Sequence, residues 1–260
     1  MDKKIILDAV NKLFKTNTQD YVFVYTPQKV GSTTLVTSLR ISLGRKINVL
    51  HIHDEVMLSV LNGINNVKIN DIIKHLSIIG KNVYVIDVYR TPIERKISGF
   101  FEKISSFHFN NTEENINNYS IKRVIDRFNK LFPHLEKGDH YLDVYNIESP
   151  ISFDFNKKYT IQEINKIKYI KLRLCDSSLW GEVLSTIFKT KVAIINEYTT
   201  KNKIVGKLYD TFLKEYKLPT IFLESVKECK YFNFYFSKEE RNKYLIKWGT
   251  NLGADVIPYT

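Results

Sequence analysis

VFVYTPQKVGSTTLVTSL, residues 22–39, is the stretch from which the rest of the chain can be read. Val22–Tyr25 is apolar, β-branched and aromatic, the composition of a strand buried on both faces. Pro27 ends it. Gly31 permits a tight backbone path, and Ser32 or Thr33 can cap a helix that continues through Thr34–Leu43 to Gly44. A helix N-terminus presents N–H groups without intrahelical partners and a partial positive charge, which suits a phosphate or sulfate. Lys29 adds a full charge beside it.

The order of residues narrows the chemistry of this loop. A Walker A loop places its lysine after the last glycine, as G-x-x-x-x-G-K-S/T. Here Lys29 precedes Gly31, so that pattern fails. PQKVGSTT instead resembles the 5′-phosphosulfate loop of sulfotransferases, usually P-K-x-G-T-T/S. Those enzymes use 3′-phosphoadenosine 5′-phosphosulfate (PAPS). The bland alternative is an ordinary strand–turn–helix connection with a solvated lysine.

A second strand–loop–helix junction follows the buried strand Asn82–Tyr89 and reads RTPIERKISGFF. Thr91 is placed to be the N-cap, Pro92 takes the first helical position, and Glu94 completes a capping box. Arg90 lies at the strand end, while Arg95 and Ser98, three apart, share a helix face. Guanidinium and hydroxyl donors together suit a phosphate. This run is similar to the sulfotransferase 3′-phosphate motif R-D/N-P-x-x-R-x-x-S. It matches at Arg90, Pro92, Arg95 and Ser98 and departs at Thr91, itself a competent N-cap.

Between the two motifs, Ile47–Ile52 reads as a strand ending in HIHDE. His51 and His53, two apart, point to the same face. In parallel α/β sheets, ligands gather at the carboxyl ends of strands, so both are candidates to face the crevice of Lys29. A polar surface pair is the plain alternative. The pair could also hold a metal with Asp54 or Glu55 as a third ligand, although no further His or Cys cluster supports that. In the uronyl/heparan 2-O-sulfotransferase group, an H-x-H lies between the two PAPS motifs and supplies the catalytic base. Here the pair lies nearer the first motif.

The whole chain sets wider bounds. Its 260 residues, 43% hydrophobic and 13% aromatic, can build a sizeable core and do not resemble a disordered segment. The net charge of +11 would suit an anionic ligand, but the lysines are scattered and accompany many Ile and Asn, so the charge is permissive only. Cys175 and Cys229 stand far apart outside any zinc spacing. The start, MDKKIILDAVNKLF, has helical apolar spacing and is too polar for a signal peptide. No run approaches the ~20 apolar residues of a membrane span. A cytoplasmic protein without the membrane anchor of animal Golgi sulfotransferases is expected.

Further helices are expected over Val56–Asn62, Asn70–Ile79, Tyr119–Phe132 and Ser178–Phe188. Further strands are expected over Ile167–Leu174 and Lys191–Asn196. Ser105–Asn117 reads as a mobile loop, and Leu135–Lys158 as a mixed segment with strand-like pieces HYLDVYNI and ISFDF. The alternation indicates an α/β fold, a central parallel sheet of about five strands flanked by helices, with a helical C-terminal third. Ser237 and Glu240 form a capping box there, and the aromatics of YFNFYF read as core. One domain over 1–260 is expected, residues 1–20 carrying the first helix and 105–160 an insertion shaping an acceptor site. The tail is similar to that of bacterial proteins described as capsular polysaccharide synthesis proteins, so the resemblance runs from about Tyr21 to Trp248.

What the resemblance implies is a P-loop-containing, sulfotransferase-like fold and transfer of a sulfuryl group from PAPS to a carbohydrate or other hydroxyl acceptor, without a metal and without a nucleic-acid partner. Lys29, Val30, Gly31, Ser32, Thr33 and Thr34 would hold the 5′-phosphosulfate, with Lys29 also neutralising the leaving oxygen. Arg90 and Ser98 would bind the 3′-phosphate, with Arg95 assisting or pairing with a carboxylate. His53, or else His51, would be the general base, with Glu55 in reserve. Two rival classes remain. A P-loop kinase or NTPase needs a lysine after the glycine and an acid for Mg²⁺, for which Asp87 is the candidate. A non-catalytic nucleotide- or nucleic-acid-binding protein would use the positive charge.

Overall fold

The computed structural model describes residues 3–15, 17–130, 140–195 and 203–249. The strands are β1 (Asp20–Tyr25), β2 (Ile47–Ile52), β3 (Asn82–Tyr89), β4 (Tyr159–Ile164) and β5 (Ile167–Arg173). In chain order the helices begin with α1 (Lys3–Leu13), α2 (Ser32–Leu43), α3 (Glu55–Asn62), α4 (Ile69–Ile78), α5 (Pro92–Glu102), α6 (Glu113–Asn117) and α7 (Ile121–Lys130). They continue with α8 (His140–Tyr145), α9 (Trp180–Phe188), α10 (Gly206–Glu215), α11 (Thr220–Lys227), α12 (Lys230–Tyr235) and α13 (Lys238–Trp248). The chain divides into two compact units, Met1–Arg90 with Asp139–Glu197, and Thr91–Gly138 with Tyr198–Thr260. No helix among the described residues is long and apolar enough to cross a membrane.

The first unit is built on one five-stranded sheet of order β2-β1-β3-β5-β4. β1 pairs in parallel with β2 and β3, and β3 with β5, whereas β4 is antiparallel to β5. β1 shows why the strands form. Tyr21, Phe23 and Tyr25 enter a core with α1, α3 and α4, while Val22 and Val24 enter a second core with α2 and α9. Each face of the strand therefore meets its own helix layer, as a buried parallel strand requires. The β4–β5 hairpin turns at Asn165 and Lys166, both left-handed with φ of 50° and 64°, the twist a two-residue hairpin loop demands.

The expected fifth parallel strand at Lys191–Asn196 does not form. Residues 191–195 are irregular, and Asn196 lies outside the described residues. The backbone N–H groups of Ala193 and Ile195 donate to the Ser42 and Ser38 hydroxyls of α2, so helix serines satisfy donors that a strand would give to a neighbour. β4 is the fifth strand instead. HYLDVYNI contributes α8 rather than a strand, and residues 135–139 of the mixed segment lie outside the described set. ISFDF is irregular, pinned by Phe153, whose ring carries the Arg173 guanidinium at 4.9 Å.

In the second unit the core is aromatic. Phe101 meets Tyr209 edge-on at 5.0 Å, Phe128 meets Phe212 at 5.2 Å, and Phe212 stacks on Tyr216 at 4.9 Å. Tyr231, Phe232, Tyr235 and Phe236 of YFNFYF are buried, as core residues should be. Ser105–Asn117 is not a loop: a π-helical turn at Ile104–Phe109 leads to α6, which the Thr112 hydroxyl caps. The Tyr119–Phe132 helix is shorter at its start, α7 beginning at Ile121, and residues 131–132 lie outside the described set.

Candidate functional site

Strand order places the site. From β1 the chain moves to β2 on one side of it and then returns to β3 on the other, so the connections diverge at the carboxyl ends of β1 and β3, the crevice where α/β sheets bind ligands. The β1–α2 loop crosses this point and is held from both flanking strands. On one side, Thr26 N–H donates to the Ile52 carbonyl of β2, and His53 Nδ1 lies 2.7 Å from the Thr26 carbonyl oxygen. On the other, Arg90 Nη1 at the end of β3 donates to the Lys29 carbonyl at 2.7 Å.

The loop turns through left-handed Lys29 and Gly31, with φ of 67° and 85°. A Cβ at Gly31 would lie 2.9 Å from Leu174 Cδ1 and 3.1 Å from the Trp180 ring, so glycine is required by conformation and by the core behind the loop. Neither Ser32 nor Thr33 caps α2. Gly31 is its N-cap residue, and no side chain bonds the helix start. The reason is the register: the helix begins one position too early for Ser32 or Thr33 to stand outside it. Its N-terminus keeps the unpaired N–H character that attracts an anion. Val30 and Ser32 are buried, Lys29, Gly31 and Thr34 half-buried, and Thr33 exposed.

The histidines lie together, ring centroids 4.7 Å apart and edge to face. A carbonyl can only accept, so His53 holds its proton on Nδ1, and in the neutral ring Nε2 is the basic nitrogen. His51 differs. Burial first, then the charges of His53 and Arg40, push it down to about 4, and its Nε2 is buried without a hydrogen-bond partner. It is a neutral ring at neutral pH. Thr26 Oγ1, at the head of the loop, is a second buried polar atom without a protein partner, a position for a ligand or a water to fill.

The acids beside the histidines are committed elsewhere. Asp54 caps α3 by accepting from Met57 N–H at 2.8 Å. Glu55 accepts from the Tyr145 hydroxyl and from Ile69 N–H. Among the described residues, no group of three His, Cys, Asp or Glu is placed to hold a metal ion. Tyr25 and Tyr145 are residues that the sequence reading missed as part of this edge. Burial, then the Glu55 charge, pushes Tyr25 up to about 12, and burial with the Glu55 hydrogen bond raises Tyr145 as well. Both are neutral phenols at neutral pH. Tyr25 was recognisable only as a strand residue, and nothing in the sequence links Tyr145 to Glu55 across ninety positions.

The second motif is divided between the units: Arg90 closes the first, and α5 with Arg95 and buried Ser98 belongs to the second. Thr91 is the N-cap residue and Pro92 opens α5, but the capping box is absent. The Thr91 hydroxyl donates to the Glu94 carboxylate instead of accepting a backbone N–H, and the other Glu94 oxygen meets Lys247, 2.9 Å away. Asp87, the acid a kinase reading would place on Mg²⁺, is buried and bonded to Lys171. Compared with known proteins, the chain matches no family model, no curated protein and no solved structure.

Proposed function

We propose that the protein is a PAPS-dependent sulfotransferase acting on a hydroxyl of a carbohydrate acceptor, in the synthesis of a capsular or other surface polysaccharide. The observation that carries this reading is the β1–α2 loop, braced by His53 from β2 and Arg90 from β3 in front of a helix start that no side chain caps. A pre-shaped loop of this kind supplies donors to an anion without reorganising. The residues fit a phosphosulfate: the N–H groups at Gly31–Thr34, the hydroxyls of Thr33 and Thr34, the Lys29 ammonium, and the orphaned Thr26 hydroxyl nearby.

In this reading His53 Nε2 takes the proton of the acceptor hydroxyl. The acceptor oxygen bonds to sulfur as the bridging S–O bond breaks, and Lys29 balances the negative charge gathering on the phosphate oxygen that leaves. The 3′-phosphate half of the reading rests on the sequence pattern from Arg90 through Ser98. Arg90 spends one donor on the Lys29 carbonyl, and a guanidinium carries five.

Thermal unfolding in the presence of 3′-phosphoadenosine 5′-phosphate (PAP), 5′-AMP or ATP tests the reading. PAP at one hundred times its Kd should stabilise the protein by about 2.7 kcal/mol, with 5′-AMP and ATP well behind. The PAP-dependent shift should vanish in Arg90→Ala, each protein being compared with its own ligand-free melt. Equal shifts with all three nucleotides would overturn the assignment.

A further inference from the structure

One strongly charged surface of the second unit takes no part in the reading above. On α7, Lys122, Asp126 and Lys130 stand on successive turns, with Arg123 and Arg127 in the adjoining column, while Val124 and Phe128 are buried on the opposite side. The outer face carries four cations against one carboxylate. It lines an open concavity of about 420 Å³, together with Phe109 and Ser120. Among the described residues, none of these four cations is drawn into an ion pair.

Both guanidinium groups are held in place. Arg123 lies over the Tyr119 ring at 3.7 Å and near Phe109 at 5.7 Å. Arg127 Nε donates to the His108 carbonyl at 2.9 Å. His108 registers the local field: burial, then Arg127, Lys103 and Lys96, push its imidazole down to about 4. Planar guanidinium groups fixed in advance lose little side-chain entropy when they meet a planar or tetrahedral oxyanion.

We propose that this face of α7 binds an acidic polysaccharide, a chain bearing carboxylate or sulfate groups on hydroxyl-rich sugars. The mixture of groups favours a saccharide over a nucleic acid. Asp126, between the lysines, would accept from sugar hydroxyls but would repel a run of phosphates. The Tyr119 face, a natural platform for a base, is already covered by Arg123. Lys122 and Lys130 lie about 12 Å apart along the helix at 1.5 Å per residue, so the face reads a stretch of chain rather than one anion. Phe109 offers an apolar surface for the ring of a sugar.

This surface would bind its chain whether or not the sheet edge transfers sulfate, and the two tests fail separately. The 260-residue chain is titrated calorimetrically at low salt with an oligogalacturonate decamer, a heparin-derived decamer, a neutral dextran of equal length, and single-stranded DNA of matched charge. The acidic saccharides should bind and dextran should not, with DNA weaker than both. Lys122→Glu/Lys130→Glu, at two exposed positions, should raise the saccharide Kd by about tenfold or more. Lys46→Glu/Lys74→Glu, an equal change of charge on exposed positions of the first unit, should leave it unchanged. An equal loss in that control would show diffuse attraction by the whole protein, and DNA binding as tight as the saccharides would make the face a nucleic-acid surface. Either result overturns the proposal.

Discussion

His51 and His53 are neighbours on one face with different duties. His53 is hydrogen-bonded into the loop, whereas His51 is pushed down to about 4 by burial and by the charges near it. In the unfolded chain His51 titrates near its ordinary 6.5. Between these values the unfolded chain binds more protons, so acidification favours unfolding. The contribution is complete above about 6.5 and is lost as pH falls toward 4. His51→Phe should therefore show a shallower fall in urea midpoint between pH 7 and pH 4.5 than wild type. Some slope should remain, because His108 is shifted in the same direction. Identical slopes would refute the account. At this scale the sequence was legible where chemistry is local: the Lys-before-Gly order, Gly31 in a left-handed turn, the shared face of the histidines. The Thr91–Glu94 pair was legible but not the direction of its bond, and the grip of His53 on Thr26 depends on a partner that a local pattern does not contain.

Among the elements, β1 and β3 could be read directly because burial on both faces leaves nearly unbroken apolar runs, while β2 and β5 remained legible from β-branched and aromatic residues despite Asn48 and His51 in the one and Lys168, Lys171 and Arg173 in the other. β4 could not, since an edge strand with partly exposed faces carries Thr160, Gln162 and Glu163 among its apolar residues. Lys191–Ile195 is the converse case, a β-rich sequence whose donors are captured by α2 serines. The capping box of α13 was legible and is present: Ser237 Oγ accepts from Glu240 N–H, and the Glu240 carboxylate accepts from Ser237 N–H. Ser237→Ala should cost about 1 kcal/mol in chemical denaturation, and Ser237→Asp should restore most of it. No loss in the alanine variant would mean that packing, not the cap, starts this helix.

The sequence carries a net charge of +11, and among the described residues an opposite pair is sealed inside the sheet. Asp87 of β3 and Lys171 of β5 are register partners, their charged atoms 2.5 Å apart and each side chain 7% exposed. Asp87 also accepts from Val88 N–H. Breaking such a pair leaves a desolvated charge, so Lys171→Met should cost about 3–5 kcal/mol. Asp87→Leu/Lys171→Met should recover all but about 1 kcal/mol, the Val88 hydrogen bond being lost. A double variant no better than the single one would show that the two residues are not coupled. The hairpin turn at Asn165 and Lys166 has its own consequence, in time rather than in energy. Every parallel pairing in this sheet waits for a long crossover to close, whereas β4 and β5 need only two residues to meet. A hairpin forms in roughly 1–10 μs, and non-local pairings are far slower. The β4–β5 pairing is therefore the one in this sheet with the shortest loop to close, and the first that local chain motion can sample.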